Sequence, residues 1–380
     1  MIVTLVIHVD LRNGRGSEKV LLNILKHKPE DIQLKIIETD YIESQRISGE
    51  EINNYLKNVE LIKIHRNVIG KKMDSVFKII LNNIIFRSYY KDIKNINQND
   101  FKNIKKTDVV YLFNNFYAIL FRNSNIPVIG SNHAIDPSLF FDKNIIKRLY
   151  YLLYYKIYFK PMNGYHVFPK NEYIIKKLEN KFKMKYNFVL TNGVDTKTFY
   201  PDYNIKNKKL KVFFIASLTY KKGLDILLPL IDKFRDNENV EFNIAGDGPL
   251  KNEIIKRKNI IYHGIVNENK LSELYRTSDL FVYPSKDDYY GLVVLESLSS
   301  GLFVLCSENL KGNFDDFKNK YLLYIENNVD SYYNIINNII ENRDIIKHDK
   351  ILEYNYIKDN YDWEIISKKF YDYLKNFKKL

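Results

Sequence analysis

The chain has 380 residues, and its 59 lysine and arginine residues outnumber its 46 acidic residues, giving a formal charge of +13. This length exceeds what one hydrophobic core sustains and therefore predicts two domains. The single cysteine, Cys306, excludes an internal disulfide and suits a reducing compartment.

The positive charge would permit nucleic acid or an acidic membrane as a partner. Lysine is abundant along the whole chain, however, together with asparagine, isoleucine and tyrosine, and no single basic arm stands out. The charge therefore indicates a bias in residue usage, and nucleic acid is not the partner that we predict.

The chain begins with an apolar run at residues 1–9, which lacks a basic leader and a cleavage site and predicts a first strand rather than a signal peptide. No window of about 18 uncharged apolar residues occurs, so we predict no transmembrane helix. Cys306, in the run L-F-V-L-C-S, is predicted to be a core residue rather than a nucleophile. These features together predict a cytoplasmic protein.

Short apolar runs alternate with amphipathic segments, a pattern typical of parallel sheets with crossover helices. The sequence therefore predicts an α/β protein with two doubly wound, Rossmann-like domains that face each other across a cleft. The predicted strands lie at residues 2–9, 34–38, 61–65, 109–113, 127–132, 165–168 and 188–190 in the first half, and at 212–216, 241–245, 260–263, 280–283, 302–306 and 321–325 in the second.

The boundary between the domains is predicted in the polar and basic segment T-F-Y-P-D-Y-N-I-K-N-K-K at residues 198–209. We predict an N-terminal domain at 1–200, a linker at 201–209, a C-terminal domain at 210–360 and a final segment at 361–380. Ligands of such sheets bind beyond the carboxyl ends of the strands, so the loops after the strands should carry the chemistry.

Residues 144–160, N-I-I-K-R-L-Y-Y-L-L-Y-Y-K-I-Y-F-K, are at once apolar, aromatic and basic, and residues 66–90 have a similar mixture. Such a helix can lie in a membrane interface. It can equally face a protein core while its lysines remain solvated. The sequence leaves both interpretations open.

The most informative segment is S-K-D-D-Y-Y-G-L-V-V-L-E-S-L-S-S-G at residues 285–301, which follows an apolar strand. We predict a loop and then a helix that Gly301 ends, with Asp288 and Glu296 at opposite ends of the helix, roughly 8 to 12 Å apart. Helix amides favour phosphates and carboxylates accept from hydroxyl groups. A nucleoside diphosphate sugar would fit this layout.

The first loop, N-G-R-G-S-E-K at residues 13–19, follows a strand and opens a helix, so Gly14 and Gly16 could bring backbone amides close to a phosphate. Lys19 stands where the dinucleotide pattern has its third glycine, and the pair of glycines could equally form a plain turn.

Two further residues follow strands. His133 ends I-P-V-I-G-S-N-H, where its imidazole could bind a sugar hydroxyl or a phosphate, although most histidines have no such role. Lys222, in A-S-L-T-Y-K-K-G-L-D, could neutralise a departing diphosphate. The turns at 245–250 and 191–195 supply glycine and asparagine for unusual backbone angles, or simply reverse the chain.

Taken together, these segments resemble the retaining glycosyltransferases of family 4, which have the two-domain GT-B fold. The resemblance covers nearly the whole chain and depends on the order and spacing of five motifs. They are N-G-V-D-T-K-T-F-Y-P at 192–201, S-L-T-Y-K-K-G-L-D at 217–225, A-G-D-G-P-L at 245–250, Y-P-S-K-D-D-Y-Y-G-L-V-V-L-E at 283–296 and D-W-E-I-I at 362–366.

The resemblance implies an acceptor-binding N-terminal domain and a donor-binding C-terminal domain, with a last helix, from about Trp363, that crosses back to the first. It implies that Glu296 holds the ribose hydroxyls, that Asp288 contacts the donor sugar and that Lys222 binds the diphosphate. It implies further that His133 meets the transferred sugar. The other donor-binding positions that it implies are Gly14, Gly16, Ser217, Gly246, Tyr289, Tyr290, Gly291 and Leu292.

The chain departs from the family pattern at two positions. Asp288 stands where the family usually has glutamate, a side chain longer by one methylene. Ser217 stands where an arginine usually assists the lysine, and Lys221 and Arg15 are candidates to replace that cation.

By this resemblance the chain is predicted to transfer a sugar from a nucleotide sugar to an acceptor hydroxyl, with retention of configuration and without a metal or cofactor. The acceptor would be a glycan, a lipid-linked sugar or a protein, and the enzyme could be peripheral on an acidic membrane surface. Two alternatives remain open, a phosphorylase of the same fold and a nucleotide-sugar-binding protein that has lost catalysis.

Overall fold

The structure is a computed structural model that describes residues 1–7, 16–39, 56, 59–64, 102–113, 115–121, 124–133, 143–154 and 160–377. The chain divides into two compact units. The first unit comprises Met1–Leu190 together with Ser367–Leu380, and the second comprises Thr191–Ile366.

The first unit contains a seven-stranded parallel sheet. Its strands are β1 (Ile2–Val6), β2 (Gln33–Thr39), β3 (Val59–Ile64), β4 (Val109–Leu112), β5 (Val128–Ser131), β6 (Gly164–Val167) and β7 (Phe188–Val189). Their order is β3-β2-β1-β4-β5-β6-β7, so the winding direction reverses between β1 and β4. In a doubly wound sheet this reversal opens a crevice at the carboxyl ends of the two strands.

The second unit contains a six-stranded parallel sheet of the same type. Its strands are β8 (Leu210–Ile215), β9 (Val240–Ala245), β10 (Ile260–Gly264), β11 (Leu280–Tyr283), β12 (Phe303–Ser307) and β13 (Leu322–Ile325). Their order is β10-β9-β8-β11-β12-β13, and the winding reverses between β8 and β11.

Helices of the described ranges lie between these strands or follow the last of them. They are α1 (Gly16–Lys26), α2 (Ile145–Tyr154), α3 (Ile175–Phe182), α4 (Leu224–Lys233), α5 (Lys251–Ile255), α6 (Glu268–Arg276), α7 (Leu292–Ser299), α8 (Val329–Glu341), α9 (Lys350–Tyr361) and α10 (Trp363–Phe377).

One strand in the middle of each sheet, β4 and β11, is buried along its whole length, as expected for a parallel sheet covered on both faces. All four residues of β4 and all four of β11 are buried. Cys306 lies in β12 with none of its surface exposed, which confirms that it is a core residue.

All thirteen predicted strands are present, and the two doubly wound, Rossmann-like sheets confirm the predicted α/β class. The predicted linker at residues 201–209 differs from the structure, which groups these residues with the second unit. Phe199 is buried there, and its carbonyl oxygen accepts a hydrogen bond from Ser299 Oγ at 2.6 Å. The Asn207 amide donates to the Thr277 carbonyl oxygen at 3.0 Å. These contacts anchor a segment whose composition alone is typical of a linker.

The last helix begins at Trp363, as predicted, and its residues from Ser367 onward belong to the first unit. There Phe370 packs edge-on against Tyr111 with ring centroids 4.9 Å apart, and the Tyr371 hydroxyl donates to the Ile24 carbonyl oxygen at 2.9 Å.

Two segments of the second unit, at its beginning and its end, lie side by side. The Val194 amide donates to the Tyr361 carbonyl oxygen at 2.9 Å, and the Trp363 amide donates to the Val194 carbonyl oxygen at 3.2 Å. The Trp363 ring also covers Gly193 so closely that a Cβ on this glycine would lie 2.7 Å from it.

The basic and aromatic segment at 144–160 forms α2 in its described part, while residues 155–159 and the similar segment at 66–90 lie outside the described residues. On α2, Ile145, Ile146 and Leu149 are 61, 76 and 54% exposed, whereas Leu152 packs against the core of the first unit. Among the described helices, none has the length and apolarity that crossing a bilayer requires.

Candidate active site

The loops that follow β8 and β11 meet at the point where the winding of the second sheet reverses. The Lys286 amide donates to the Lys221 carbonyl oxygen at 2.9 Å, which joins the two loops through their backbones. A Cβ on Gly223 would lie 2.2 Å from the Pro284 carbonyl oxygen. Only a residue without a side chain allows this approach, so the sequence brings the two loops into direct contact.

Three ion pairs join the same two loops and the start of α4. Lys221 pairs with Asp287 at 2.8 Å, Lys222 pairs with Asp288 at 2.8 Å, and Lys286 pairs with Asp225. The Lys221 pair is well exposed, with 77 and 54% of its two side chains accessible. The Lys222 pair is more protected, with 24 and 22% accessible. Because water screens exposed charges, the Lys222 pair is the less screened of these two pairs.

Asp288 has a second donor. The hydroxyl of Tyr283, the last residue of β11, donates to Asp288 Oδ2 at 2.5 Å, and the same oxygen accepts from Lys222 Nζ. Burial, together with the charge of Asp288, raises the pKa of Tyr283 well above its ordinary value. The phenol is therefore a protonated donor at any physiological pH, and the Asp288 carboxylate is held between a phenol and an ammonium group.

Glu296 lies on α7 and is 7% exposed. Its Oε2 atom accepts from the hydroxyl of Tyr275 at 3.2 Å. Burial and the nearby Glu296 charge raise the pKa of Tyr275 well above its ordinary value, so this phenol too remains a donor. A buried carboxylate of this kind favours ligands that bring their own hydroxyl donors.

The arrangement of the two carboxylates differs from the prediction that they lie at opposite ends of one helix. The helix α7 begins only at Leu292 and has eight residues, so Asp288 lies in the preceding loop and Glu296 is the fifth helical residue. The physical cause is Gly291, whose φ of +85° lies in the left-handed region and delays the start of the helix. Gly301, with φ of +75°, follows the end of the helix as predicted.

The residues between Asp288 and the helix are fixed by their neighbours. The carbonyl oxygen of Tyr289 accepts from the Asn313 amide at 2.9 Å. Tyr290 is buried, its hydroxyl bonds to Thr191 Oγ1, and its ring packs against Phe314 with centroids 5.1 Å apart. The backbone at the N-terminus of α7 is therefore held in one conformation.

Gly246 and Ser217 lie where β9 and β8 end. Gly246 has φ of +114°, and a Cβ at this position would lie 1.9 Å from the Ala216 carbonyl oxygen. The next loop residue, Ser217, is exposed. The absence of a side chain at Gly246 thus allows the backbone of the β9 loop to pack directly against the backbone of the β8 loop at Ala216.

In the first unit, His133 follows β5 and is half-buried. Its imidazole stacks on Phe113 with centroids 4.7 Å apart, and it packs edge-to-face with Phe168 and His166, whose ring centroids are 5.3 and 5.7 Å away. Asn132, directly before it, is fully buried, and within the described ranges neither polar atom of its side chain has a hydrogen-bond partner.

Gly16 is the first residue of α1 and is exposed. Gly14 and the candidate cation Arg15 lie outside the described residues, so the predicted glycine loop is described only at its helical end.

Sequence reasoning missed three of the residues described above. Tyr283 could have been found, because it ends a strand beside the switch point, where side chains reach the ligand edge of the sheet. Asn132 could have been found in the same way, because it follows the end of β5 directly before His133. Nothing in the sequence marked Tyr275, which lies 21 residues before its partner Glu296 on a different helix.

Chemically, the site of the second unit combines one protected lysine, one carboxylate paired with that lysine, and one buried carboxylate that accepts a hydrogen bond from a tyrosine. Within the ranges that the structure covers, no three His, Cys, Asp or Glu side chains come together as the ligands of a metal would.

Residues 195–359 match the family model described as glycosyl transferases group 1. Among similar curated proteins, an uncharacterized glycosyltransferase of Methanocaldococcus jannaschii is 27% identical over 143 residues, which are 34% of this chain and 37% of that protein. A sulfoquinovosyl transferase of Arabidopsis thaliana is 29% identical over 128 residues, which are 30% of this chain and 24% of that protein. The matches thus span about a third or less of these relatives' length.

Solved structures are similar over almost the whole chain. HepE of Anabaena, in complex with UDP and glucose, covers 99% of this chain and 100% of its own with a TM-score of 0.70 and 13% identity. The sucrose-phosphate synthase of Thermosynechococcus elongatus covers 99% and 98% with a TM-score of 0.68 and 12% identity. The fold is therefore GT-B, as the sequence resemblance implied.

Proposed function

We propose that this protein is a glycosyltransferase of the retaining family 4 type, which transfers a sugar from a nucleoside diphosphate sugar to an acceptor hydroxyl. One observation carries the proposal. The stretch that matches the group 1 family model, residues 195–359, contains the two loops and the helix that bring Lys222, Asp288 and Glu296 to one edge of the second sheet.

The donor would bind at this edge. Glu296 would accept hydrogen bonds from the ribose hydroxyls, because it is a buried carboxylate on the helix that follows Asp288, and carboxylate oxygens accept from hydroxyl groups. Lys222 and the amides at the N-terminus of α7 would bind the diphosphate. Asp288 would contact the sugar. UDP and UDP-glucose are the first ligands to examine, since structures of HepE contain them.

In the proposed reaction the acceptor oxygen forms a bond to the anomeric carbon while the bond from that carbon to the diphosphate oxygen breaks. The bonding electrons leave with the diphosphate, and the acceptor proton passes to the departing phosphate oxygen. The products are the glycoside and a nucleoside diphosphate. Lys222 would stabilise the developing negative charge, which makes a divalent metal and a cofactor unnecessary in this proposal.

The acceptor side is proposed to lie in the first unit, where His133 sits among aromatic rings beside the buried Asn132. A lipid-linked sugar is the acceptor class that the exposed apolar surface of α2 favours. Ile145, Ile146 and Leu149 project into solvent, and the exposed Arg148 lies among them. Apolar side chains next to a cation suit the interface of an acidic membrane.

A panel of UDP, GDP and their sugars tests the donor proposal by thermal shift and by donor hydrolysis or transfer. We expect one nucleotide to stabilise the protein and its sugar to be turned over, and we expect Glu296→Ala to abolish both effects. Stabilisation by a nucleotide without turnover of any donor over varied acceptors would instead identify a binding protein that has lost catalysis. The exposed Ser217, in place of the family's arginine, is the observation that favours this second candidate.

Flotation with vesicles that contain acidic lipids tests the membrane proposal. We expect the double variant Ile146→Asn and Leu149→Asn to lose most of its vesicle binding. Ile351→Asn with Leu352→Asn on α9 is the matched control, because these side chains are similarly exposed at 56 and 61% but belong to the second unit. Equal binding by both variants and the parent would contradict the proposal.

A further inference from the structure

The lysine that is proposed to bind the diphosphate already has a partner. Lys222 Nζ lies 2.8 Å from Asp288 Oδ2, and less than a quarter of either side chain is exposed. The neighbouring Lys221 is paired with Asp287 in the same way. A diphosphate that approaches Lys222 therefore meets the Asp288 carboxylate beside it, and two anions at one cation repel each other.

Tyr283 strengthens this arrangement. Its hydroxyl donates to the same Oδ2 atom at 2.5 Å, from the end of a fully buried strand. The rigid phenol thus keeps the carboxylate directed at Lys222. Asp288 keeps the Tyr283 hydroxyl when it leaves the lysine, but it loses a charge-assisted hydrogen bond, so it can leave at little loss only if another donor replaces the ammonium group.

We propose that Tyr283, Asp288 and Lys222 form a latch that distinguishes an intact sugar donor from the spent nucleoside diphosphate. The proposal rests on the function proposed above. An intact donor brings sugar hydroxyls that donate to Asp288 as the diphosphate takes Lys222, so the carboxylate exchanges one partner for another. A nucleoside diphosphate brings no such hydroxyls and competes with Asp288 for the lysine without compensation.

In this latch Asp288 has a second role besides contacting the sugar. It weakens the binding of the product, the nucleoside diphosphate, relative to that of the substrate, the intact donor. Asp288 would touch the donor sugar directly. Tyr283 would act through Asp288 and is a positioning residue. Release of the nucleoside diphosphate then needs no separate opening of the second unit, since Asp288 returns to Lys222 when the sugar has gone.

Isothermal titration of UDP and UDP-glucose, and of GDP and GDP-mannose, into the full chain tests the latch. In the parent we expect the intact donor to bind about tenfold more tightly than its nucleoside diphosphate. In Asp288→Asn we expect the nucleoside diphosphate to bind about tenfold more tightly than in the parent, because its competitor has gone. The affinity of this variant for the intact donor should change by less than about threefold, so the preference for the donor over the nucleoside diphosphate disappears.

Three further variants separate the latch from simple repulsion. In the Lys222→Ala background, Asp288→Asn should strengthen nucleotide binding by no more than about twofold, because no lysine remains to be released. Tyr283→Phe should lower the preference for the donor about threefold, because the affinity for the nucleoside diphosphate rises. The melting temperature should be unchanged. Tyr275→Phe is the matched control, a buried tyrosine that donates to Glu296, and it should affect both ligands equally.

Asp288→Ser is a second variant in case the asparagine amide binds phosphate itself, and it should reproduce the loss of preference. An unchanged or weaker affinity of both variants for the nucleoside diphosphate would overturn the latch while leaving the transferase proposal intact. If the parent protein binds none of the four ligands, the proposed function fails and the latch fails with it.

Discussion

Replacing Gly246 by alanine should destabilise the second unit strongly, and the structure supplies a matched control. Gly246 has φ of +114°, and an added Cβ would lie 1.9 Å from the Ala216 carbonyl oxygen. Gly264 also has positive φ, +67°, but an added Cβ would meet nothing within 4 Å. The Gly246 amide donates to the Gly264 carbonyl oxygen at 2.7 Å, so the two substitutions lie at neighbouring points of the same sheet.

The expected loss of free energy of unfolding has two parts, the cost of the backbone conformation at positive φ and the cost of steric overlap of the new Cβ. An L-residue at positive φ costs roughly 1 to 2 kcal/mol at either position. The reduced freedom of the unfolded chain offsets this by about 0.4 to 1 kcal/mol in both variants, so it cancels in the comparison. Overlap with a backbone oxygen, which cannot rotate away as a side chain can, adds about 1 to 3 kcal/mol in Gly246→Ala alone.

For a unit of this size a change of 1 kcal/mol shifts the melting temperature by about 2 to 4 °C. Scanning calorimetry should therefore show Gly246→Ala melting about 2 to 12 °C below Gly264→Ala. The same displacement of the β8 loop should weaken nucleotide binding. Equal melting temperatures for the two variants would refute the reasoning, because they would show that the β9 loop does not press on Ala216.

Three further predictions concern buried charged and titratable groups. Glu296→Gln keeps the shape of the side chain but not its charge, so nucleotide affinity measured by titration should fall about tenfold or more while the melting temperature changes little; unchanged affinity would remove Glu296 from the binding site. Burial raises the pKa of Glu353 to about 7 from 4.5, with His348 as its partner at 2.8 Å, so folding takes up a proton and the free energy of unfolding falls as pH rises from 4.5 to 7. Urea titrations should show this decline reduced in Glu353→Gln, and an equal slope in both proteins would contradict it. Burial lowers the pKa of His166 to about 4 from 6.5, so the unfolded chain binds the extra proton and the free energy of unfolding falls as pH falls from 6.5 to 4. His166→Gln should lose that acid sensitivity, and retention of it would assign the effect to another group.

The fold was predictable because its strands are apolar runs separated by turn residues, and burial on both faces makes that pattern strong. The run at 280–283 gave β11 without error, and the other strands differ only at their ends. The last helix was likewise found at Trp363. These features depend on residues that are close in sequence.

What the sequence did not reveal depends on contacts between distant residues. The pairing of Lys222 with Asp288 spans 66 residues and follows from the adjacency of β8 and β11, which no local pattern encodes. The start of α7 was misplaced because the left-handed conformation of Gly291 depends on the loop that precedes it. Residues 201–209 resembled a linker because their composition is polar, whereas buried neighbours such as Phe199 attach the segment to the second unit.

The chain enters and leaves the second unit at adjacent segments, near Val194 and Trp363, and this connectivity affects the order in which the two units can fold during synthesis. The second unit is one continuous stretch, Thr191–Ile366, inserted between two pieces of the first. The ribosome therefore completes the inserted unit while the first unit still lacks Phe370 and Tyr371, which pack on Tyr111 and bond to Ile24. Domains generally fold from the N-terminus onward. Here the first unit begins to emerge first but receives its last residues, Ser367–Leu380, only after the second unit is complete. Truncation of the final helix would therefore remove part of the packing of the first unit.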